Sequence, residues 1–211
     1  MNVICEHLDV GRRRQFKKNE AIYEQGEVSS KFFYIEKGLA QVSIIRFDGT
    51  EMLLEFMGPQ TIVGEGAAFD GLPRFSCAFA VEDTQAVEFD ADRLTEVFRD
   101  RPDFASALLR TTTIKQRILA IRLEHLVSRE PDERIMELLQ RLASMFGTEH
   151  ANGRILATKL THEEIAAMTG TSRVTVTRTI QRLRDQKIIE VVDGHFVIKP
   201  QIASIRHTRN S

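Results

Sequence analysis

Arg173 and Arg178 stand among small hydroxyl residues, Thr171, Ser172, Thr175 and Thr177. A guanidinium forks onto phosphate oxygens or onto the acceptor edge of guanine, and hydroxyls at helix starts suit phosphate. Such a stretch points to contact with nucleic acid. A second group lies in the first half of the chain, where Gly64-Glu65 is followed by Arg74. An arginine can pair with an anionic group there, and a carboxylate can accept from a ligand hydroxyl. No nucleophile–base pair or metal set accompanies Glu65 and Arg74, so the residues do not point to an enzyme.

The elements that must position the arginines are legible. Thr161 with Glu164 forms a capping box for one helix, whose apolar face is Ile165, Ala166 and Met168. Gly170 marks a turn, and Ser172 caps a second helix. Val176, Ile180 and Leu183 repeat at helical spacing and predict a buried back. Arg173, Thr175, Thr177 and Arg178 are left on other faces. A packed back with a polar, open front is the layout of a helix-turn-helix DNA reader; the plain alternative is a helical hairpin with solvated arginines. Charge favours the reader. Residues 150–211 hold ten Lys/Arg against five acids, a balance of +5, while the whole chain is −1. A basic C-terminal part on an acidic body is the electrostatic footprint of DNA binding.

Upstream, Phe32 to Ile35, Ala40 to Arg46, Glu51 to Met57 and Phe75 to Val81 are short β-prone runs punctuated by glycine turns. They predict an antiparallel barrel or jelly roll. From about Phe104 to Val127 a long helix is expected, with Phe104, Leu108, Thr111, Ile114, Ile118, Ile121 and His125 as a seam for a second copy. The neighbouring stripe, Thr112, Lys115, Leu119 and Arg122, would face the barrel. Glu130-Pro131 ends this helix, Asp132 is expected to cap the next one, and Thr148 to Gly153 reads as a polar loop. Val191 to Ile198 reads as two strands around an Asp-Gly turn. No apolar run is long enough to span a membrane, the first residues lack a signal-peptide stretch, and Cys5 and Cys77 suggest no disulfide scaffold. A reducing cytoplasm is expected, with Cys77 as a small buried strand residue.

The segment from Thr161 through Leu183 resembles the helix-turn-helix of the bacterial CRP/FNR family, whose pattern runs roughly T-x-x-E-[IL]-A-x-x-x-G-x-S-R-x-T-V-x-R-x-[IL]-x-x-L. The order G-E-x-x-x-x-F-F-Y-I-x-x-G from Gly26 to Gly38, and Gly64-Glu65 before Pro73-Arg74, resemble a cyclic-nucleotide-binding domain. The likeness spans about Lys18 to Ile198. It implies an α+β chain: an effector-sensing β-barrel over residues 1–103, a dimerisation helix and hinge over 104–130, and a winged helix-turn-helix over 131–211. It implies a homodimer on double-stranded palindromic DNA, with RNA polymerase as a partner and no cofactor beyond a small-molecule effector. Carried over by position, Arg173 and Arg178 read guanine or clamp phosphate. Thr161, Thr171, Ser172 and Thr175 contact phosphate.

Three departures matter. Phe75 stands where the family's phosphate cassette has Ser or Thr, and a phenyl ring cannot donate to phosphate. Leu119 and Ala120 stand where cyclic-AMP binders carry hydroxyls for adenine. Buried hydroxyls that read a ligand are hard to replace with apolar groups, so an organic anion is expected in place of cyclic AMP; the alternatives are a cyclic-AMP-responsive regulator and a constitutive one whose barrel serves only dimerisation. Its pocket would hold Gly64, Glu65, Arg74, Lys115 and Leu119, with Phe75 as an aromatic wall. Structural alternatives are an Arg74–Glu65 ion pair and a solvated Lys115. Val174 replaces a common glutamate and offers only apolar contact, best to a thymine methyl, so the half-site should be richer in A·T than the family's TGTGA type. A Val-Thr-Val-[Ser/Thr]-Arg run like Val174 to Arg178 occurs in relatives resembling halorespiration regulators, which sense halogenated aromatics. An iron–sulfur sensor needs about four cysteines, and the histidines (His7, His125, His150, His162, His195, His207) are scattered.

Overall fold

The computed structural model describes residues 3–199. The chain forms two compact units, one running to Val127 and one starting at Ser128. The first opens with a 3₁₀ segment, Val3–Val10. It continues with β1 (Arg12–Phe16), β2 (Ala21–Tyr23), β3 (Lys31–Lys37), β4 (Ala40–Ile45), β5 (Glu51–Met57), β6 (Ile62–Val63), a short α1 (Glu65–Asp70), β7 (Cys77–Ala80) and β8 (Thr84–Asp90). Helices α2 (Ala91–Asp100) and α3 (Pro102–Ser128) follow. The strands make two antiparallel sheets, in the orders β1-β8-β3-β6 and β2-β7-β4-β5.

The centre of β3, Phe32 to Ile35, shows why a strand can be apolar without a break. Successive side chains leave a strand on opposite faces. Phe33 and Ile35 pack between the sheets with Phe16, Ile22 and Tyr23, whereas Phe32 and Tyr34 pack with Leu94, Phe104 and Leu108. Both faces are therefore core. Phe89 bridges the second cluster, its ring 5.2 Å from Phe32 and 5.5 Å from Phe104. Cys77 is buried as expected and donates to the Ser43 carbonyl.

This packing corrects the expected seam on α3. Phe104 and Leu108 are core residues of their own unit. Farther along, Ile114, Ile118 and Ile121 are 49%, 42% and 47% exposed. The apolar face left open thus begins about three turns later than the spacing suggested.

The second unit contains α4 (Pro131–Phe146), β9 (Gly147–His150), β10 (Gly153–Leu156), α5 (His162–Thr169), α6 (Arg173–Asp185), β11 (Ile189–Val192) and β12 (His195–Ile198). The strands form one sheet, β11-β12-β10-β9. Asp193 and Gly194, at φ 51° and 82°, make the tight β11–β12 hairpin that the Asp-Gly pair announced. The expected polar loop over 148–153 is instead the β9–β10 hairpin, held by pairing with β12. Gly-Thr-Glu-His carries no apolar alternation, so only its pairing with β10 reveals β9.

Asp132 also departs from expectation. Glu130 is the N-cap of α4, without a side-chain bond, and Pro131 occupies the first turn. Asp132 instead accepts from Thr179 Oγ1 and pairs with Arg182, both on α6. Arg134 donates Nε to the Thr169 carbonyl (2.8 Å), Nη2 to that of Gly170 (3.3 Å) and Nη1 to that of Arg129 (2.6 Å). It thereby satisfies orphan carbonyls at the end of α5.

Two outcomes follow from this packing. Phe104→Ala should lower the unfolding free energy by about 3–5 kcal/mol in urea titration, as for other buried phenylalanines; a loss below about 1 kcal/mol would mean that α3 is not seated through Phe104. The hydrogen bond from Thr179, then Arg182, holds the Asp132 carboxyl below its ordinary value. A carboxyl depressed in the folded state stabilises fully above its unfolded pKa, and the effect disappears as pH falls through the folded one. The stability gap between wild type and Asp132→Asn should therefore be present at neutral pH and close in acid below the carboxylate range. A gap that persists there would show that charge is not its source.

Candidate nucleic-acid interface and effector pocket

The start of α5 is held by a reciprocal cap. Thr161 Oγ1 accepts from Glu164 N (3.1 Å), and Glu164 Oε2 accepts from Thr161 N (2.6 Å). Gly170 then takes a left-handed turn at φ 60°, and Ser172 Oγ accepts from Thr175 N (3.1 Å) to start α6. Val176, Ile180 and Leu183 are buried, so the back of α6 is fixed by packing. Its front is open. Arg173 and Thr177 form one exposed ridge, Val174 and Arg178 the next, each pair one turn apart. Val174, an aliphatic residue 65% exposed, has no packing role that explains it. Thr175 and Thr171 are half-buried beside the caps.

Two contacts join the first turns of α5 and α6. Arg173 Nε lies 2.8 Å from Glu163 Oε1, and His162 Nδ1 lies 2.9 Å from Thr177 Oγ1. Thr161, Thr171, Ser172, Arg173, Val174 and Thr175 thus sit around two helix starts, with Arg178 in the second turn of α6. His162 and Glu163 escaped the sequence reading because they occupy the two free positions of T-x-x-E. Their partners are distant in sequence, and only charge opposite in sign to Arg173 could have drawn notice.

In the first unit, Gly64 precedes α1 at φ 80°, and a Cβ there would lie 2.6 Å from Arg74 Nη1. Glycine suits this position. Arg74 is buried, and its guanidinium is used internally. Nη1 donates to the Gly64 carbonyl (3.1 Å), Nη2 to that of Lys31 (2.6 Å), and the plane lies 4.4 Å from the Tyr23 ring centre. Its acidic neighbour is Glu27, 3.6 Å from Nε, and not Glu65, the partner that the structural alternative named. Glu65 pairs with Lys115, which also donates to the Ile62 carbonyl (3.1 Å). Lys115 is therefore no solvated lysine; it ties α3 to α1. Arg122, two turns on, pairs with Glu55.

Phe75 does not wall this arginine. It is 69% exposed, and Tyr23 takes the stacking role. The next residue, Ser76, is buried with its hydroxyl 3.4 Å from that of Tyr23. Burial pushes the Tyr23 phenol up, which keeps it protonated. Leu119 is exposed between Lys115 and Arg122. The cassette thus brings Gly64 and Arg74 together, and Glu65 and Lys115 together, and leaves Phe75 and Leu119 at the surface. Among the described residues no cluster of His, Cys, Asp or Glu could hold a metal ion, and no helix is long and apolar enough to cross a membrane.

Residues 13–101 match the cyclic nucleotide-binding domain family, and residues 133–201 the Crp-like helix-turn-helix domain family. The chain is 32% identical over 165 residues to the CRP-like cAMP-activated global transcriptional regulator of Mycobacterium tuberculosis, covering 78% of this chain and 74% of that one. It is 25% identical over 178 residues to the global nitrogen regulator of Nostoc, covering 83% and 80%. Among solved structures, CprK complexed with OCPA superposes with a TM-score of 0.70 at 23% identity over 94% of this chain and 91% of that one. The c-di-GMP-responsive regulator CLP of Xanthomonas campestris gives 0.75 at 20% over 94% and 98%. Both are likenesses of fold. An antiparallel sandwich, a long helix and a capped helix-turn-helix in this order, together with these matches, make the chain a DNA-binding transcription regulator of the CRP/FNR family.

Proposed function

We propose that the chain works as a homodimer whose two α6 helices enter successive major grooves of a palindromic duplex, about 34 Å apart. The observation that carries this reading is the asymmetry of α6, with Val176, Ile180 and Leu183 buried behind and Arg173, Val174 and Arg178 open in front. Arg173 and Arg178 read guanine or clamp phosphate. Thr161, Thr171, Ser172 and Thr175 bind phosphate oxygens at the helix starts, and Val174 meets a thymine methyl. The exposed apolar face of α3 from Ile114 to Ile121 supports dimerisation through that helix. RNA polymerase as partner and the cytoplasm as location go with this reading.

The effector is an organic anion recognised beside α1 and α3. Arg74 is buried and both its Nη groups are engaged by carbonyls, whereas Lys115, though paired with Glu65, is about one-third exposed, so it is the cation placed to meet the anion. Phe75 and Leu119 present no hydroxyl to a nucleotide. Binding shifts an existing balance of conformations toward the one competent for DNA, or away from it. Cyclic AMP is the second reading, favoured by the mycobacterial relative, which is named as cAMP-activated. The likeness of the α6 run to halorespiration regulators makes halogenated aromatics a lead for the ligand panel.

Arg178→Ala should weaken binding to a duplex selected from a random pool by at least about tenfold, the loss of one bidentate contact. Unchanged affinity in a gel-shift titration would show that this is not the reading face. A thermal-shift titration with cyclic AMP beside aromatic and aliphatic acids and phenols separates the effector readings. Stabilisation by an organic acid that is lost in Lys115→Met supports the altered pocket. Stabilisation by cyclic AMP alone returns the nucleotide, and no response favours a constitutive regulator whose barrel serves dimerisation.

A further inference from the structure

Arg173, the first residue of α6, has its guanidinium 2.8 Å from the Glu163 carboxylate, and both side chains are largely exposed. Such a pair adds little to stability, because water screens it. Nor does α5 need it for capping, since Thr161 and Glu164 do that. The first turn is nevertheless tied down twice. Thr177 Oγ1 donates its single proton to the Arg173 carbonyl (3.0 Å), so toward His162 it accepts, and His162 Nδ1 is the donor. Glu163 is thereby held facing the start of α6, against Arg173 on its exposed front.

The consequence lies in DNA binding, and it rests on the reading of the α6 front as the DNA face. Affinity for any sequence grows with the number of protein cations that displace counterions from phosphates. A guanidinium already paired with a carboxylate adds nothing to that count unless the pair opens. Opening it beside phosphates leaves an anion facing anions. A guanine edge compensates differently, because two acceptors in a fixed fork replace the carboxylate oxygens in kind. We infer that Glu163 is a specificity-determining residue: it occupies Arg173 off-target and yields it only where a base edge offers equivalent acceptors. The discrimination is built against wrong partners rather than toward the right one.

The test uses the full-length protein and two duplexes, one selected by the wild type from a random pool and one of scrambled sequence, followed by fluorescence anisotropy. Glu163→Gln should bind the scrambled duplex about three- to tenfold more tightly near 0.1 M salt, with a log–log salt slope steeper by about 0.9, the signature of one more phosphate neutralised. The selected duplex should gain less, so the affinity ratio shrinks. In an Arg173→Ala background the same change should give less than about a twofold gain, because the two residues act as one unit. An equal gain on both duplexes, or an undiminished gain without Arg173, would reduce Glu163 to a general surface charge and overturn the inference. So would no gain at all while Arg178→Ala still weakens the selected duplex. If Arg178→Ala and Glu163→Gln are both silent, the reading face itself is misplaced.

Discussion

A helix that offers its front to DNA can be held only from behind, and the rest of the second unit follows from that constraint. Val176, Ile180 and Leu183 supply the apolar grip, at 0%, 4% and 6% exposure. Apolar packing alone leaves a helix free to slide or rotate by fractions of a turn, because it is not directional. Polar contacts fix the register. Asp132 takes Thr179 and Arg182 one turn apart on α6, while Arg134 gathers the Thr169 and Gly170 carbonyls of the turn. Both residues lie in the first turn of α4, and Arg134 also holds the Arg129 carbonyl just before it. Within this unit a shift of that turn cannot leave α6 in place, since it would strand buried or half-buried hydrogen-bonding groups.

The sandwich matches most of a buried charge, leaving Arg74 Nε without a hydrogen bond. Arg74 is nearly as enclosed as the core around it, and a guanidinium in such a place must find partners. It finds two carbonyls, the Tyr23 face and a more distant Glu27. Gly64 suits the site because its φ of 80° is one that side chains rarely adopt and because a Cβ would push on this arginine. The cassette glycine and arginine therefore have a structural reason to occur together, whatever the pocket binds.

What the sequence made legible is what local interactions decide. The Thr161 box, the Gly170 turn, the Ser172 cap and the Asp193-Gly194 hairpin each depend on residues within about four positions. The features that escaped are non-local. Strand β1 reads Arg-Arg-Arg-Gln-Phe and exists because β8 pairs with it. The β9–β10 hairpin is local, but β10 is held in the sheet by β12, more than forty residues on. The α3 seam was placed too early because helical spacing reports an apolar face without saying what covers it, and Phe104 and Leu108 meet Phe89 and Leu94 of their own unit. For the candidate site, residue types were legible and partners were not. Opposite charge made Glu65 a plausible mate for Arg74, yet geometry gives Glu65 to Lys115. Asp132 looked like a cap because it follows Pro131, and it serves a helix that begins forty-one residues later.

The Lys115–Glu65 pair sets a condition on any anion that enters beside α1. The ammonium is about one-third exposed and the carboxylate 13% exposed, so the anion meets the cation first. Drawing Lys115 away leaves Glu65 charged, largely out of water and next to a second negative group. That arrangement costs more than the new ion pair returns. The cost falls only if the same molecule brings a donor to the carboxylate, such as a hydroxyl, a phenol or an N–H. A bare carboxylic acid therefore has to leave the pair standing and bind to its exposed edge, weakly, as surface ion pairs do. A molecule with an anionic group and a donor one hydrogen-bond length apart can replace both halves of the pair at once. If the proposed effector enters beside this pair, the pair selects for two functions before size or shape, and exposed Leu119 next to Lys115 favours an apolar body carrying them.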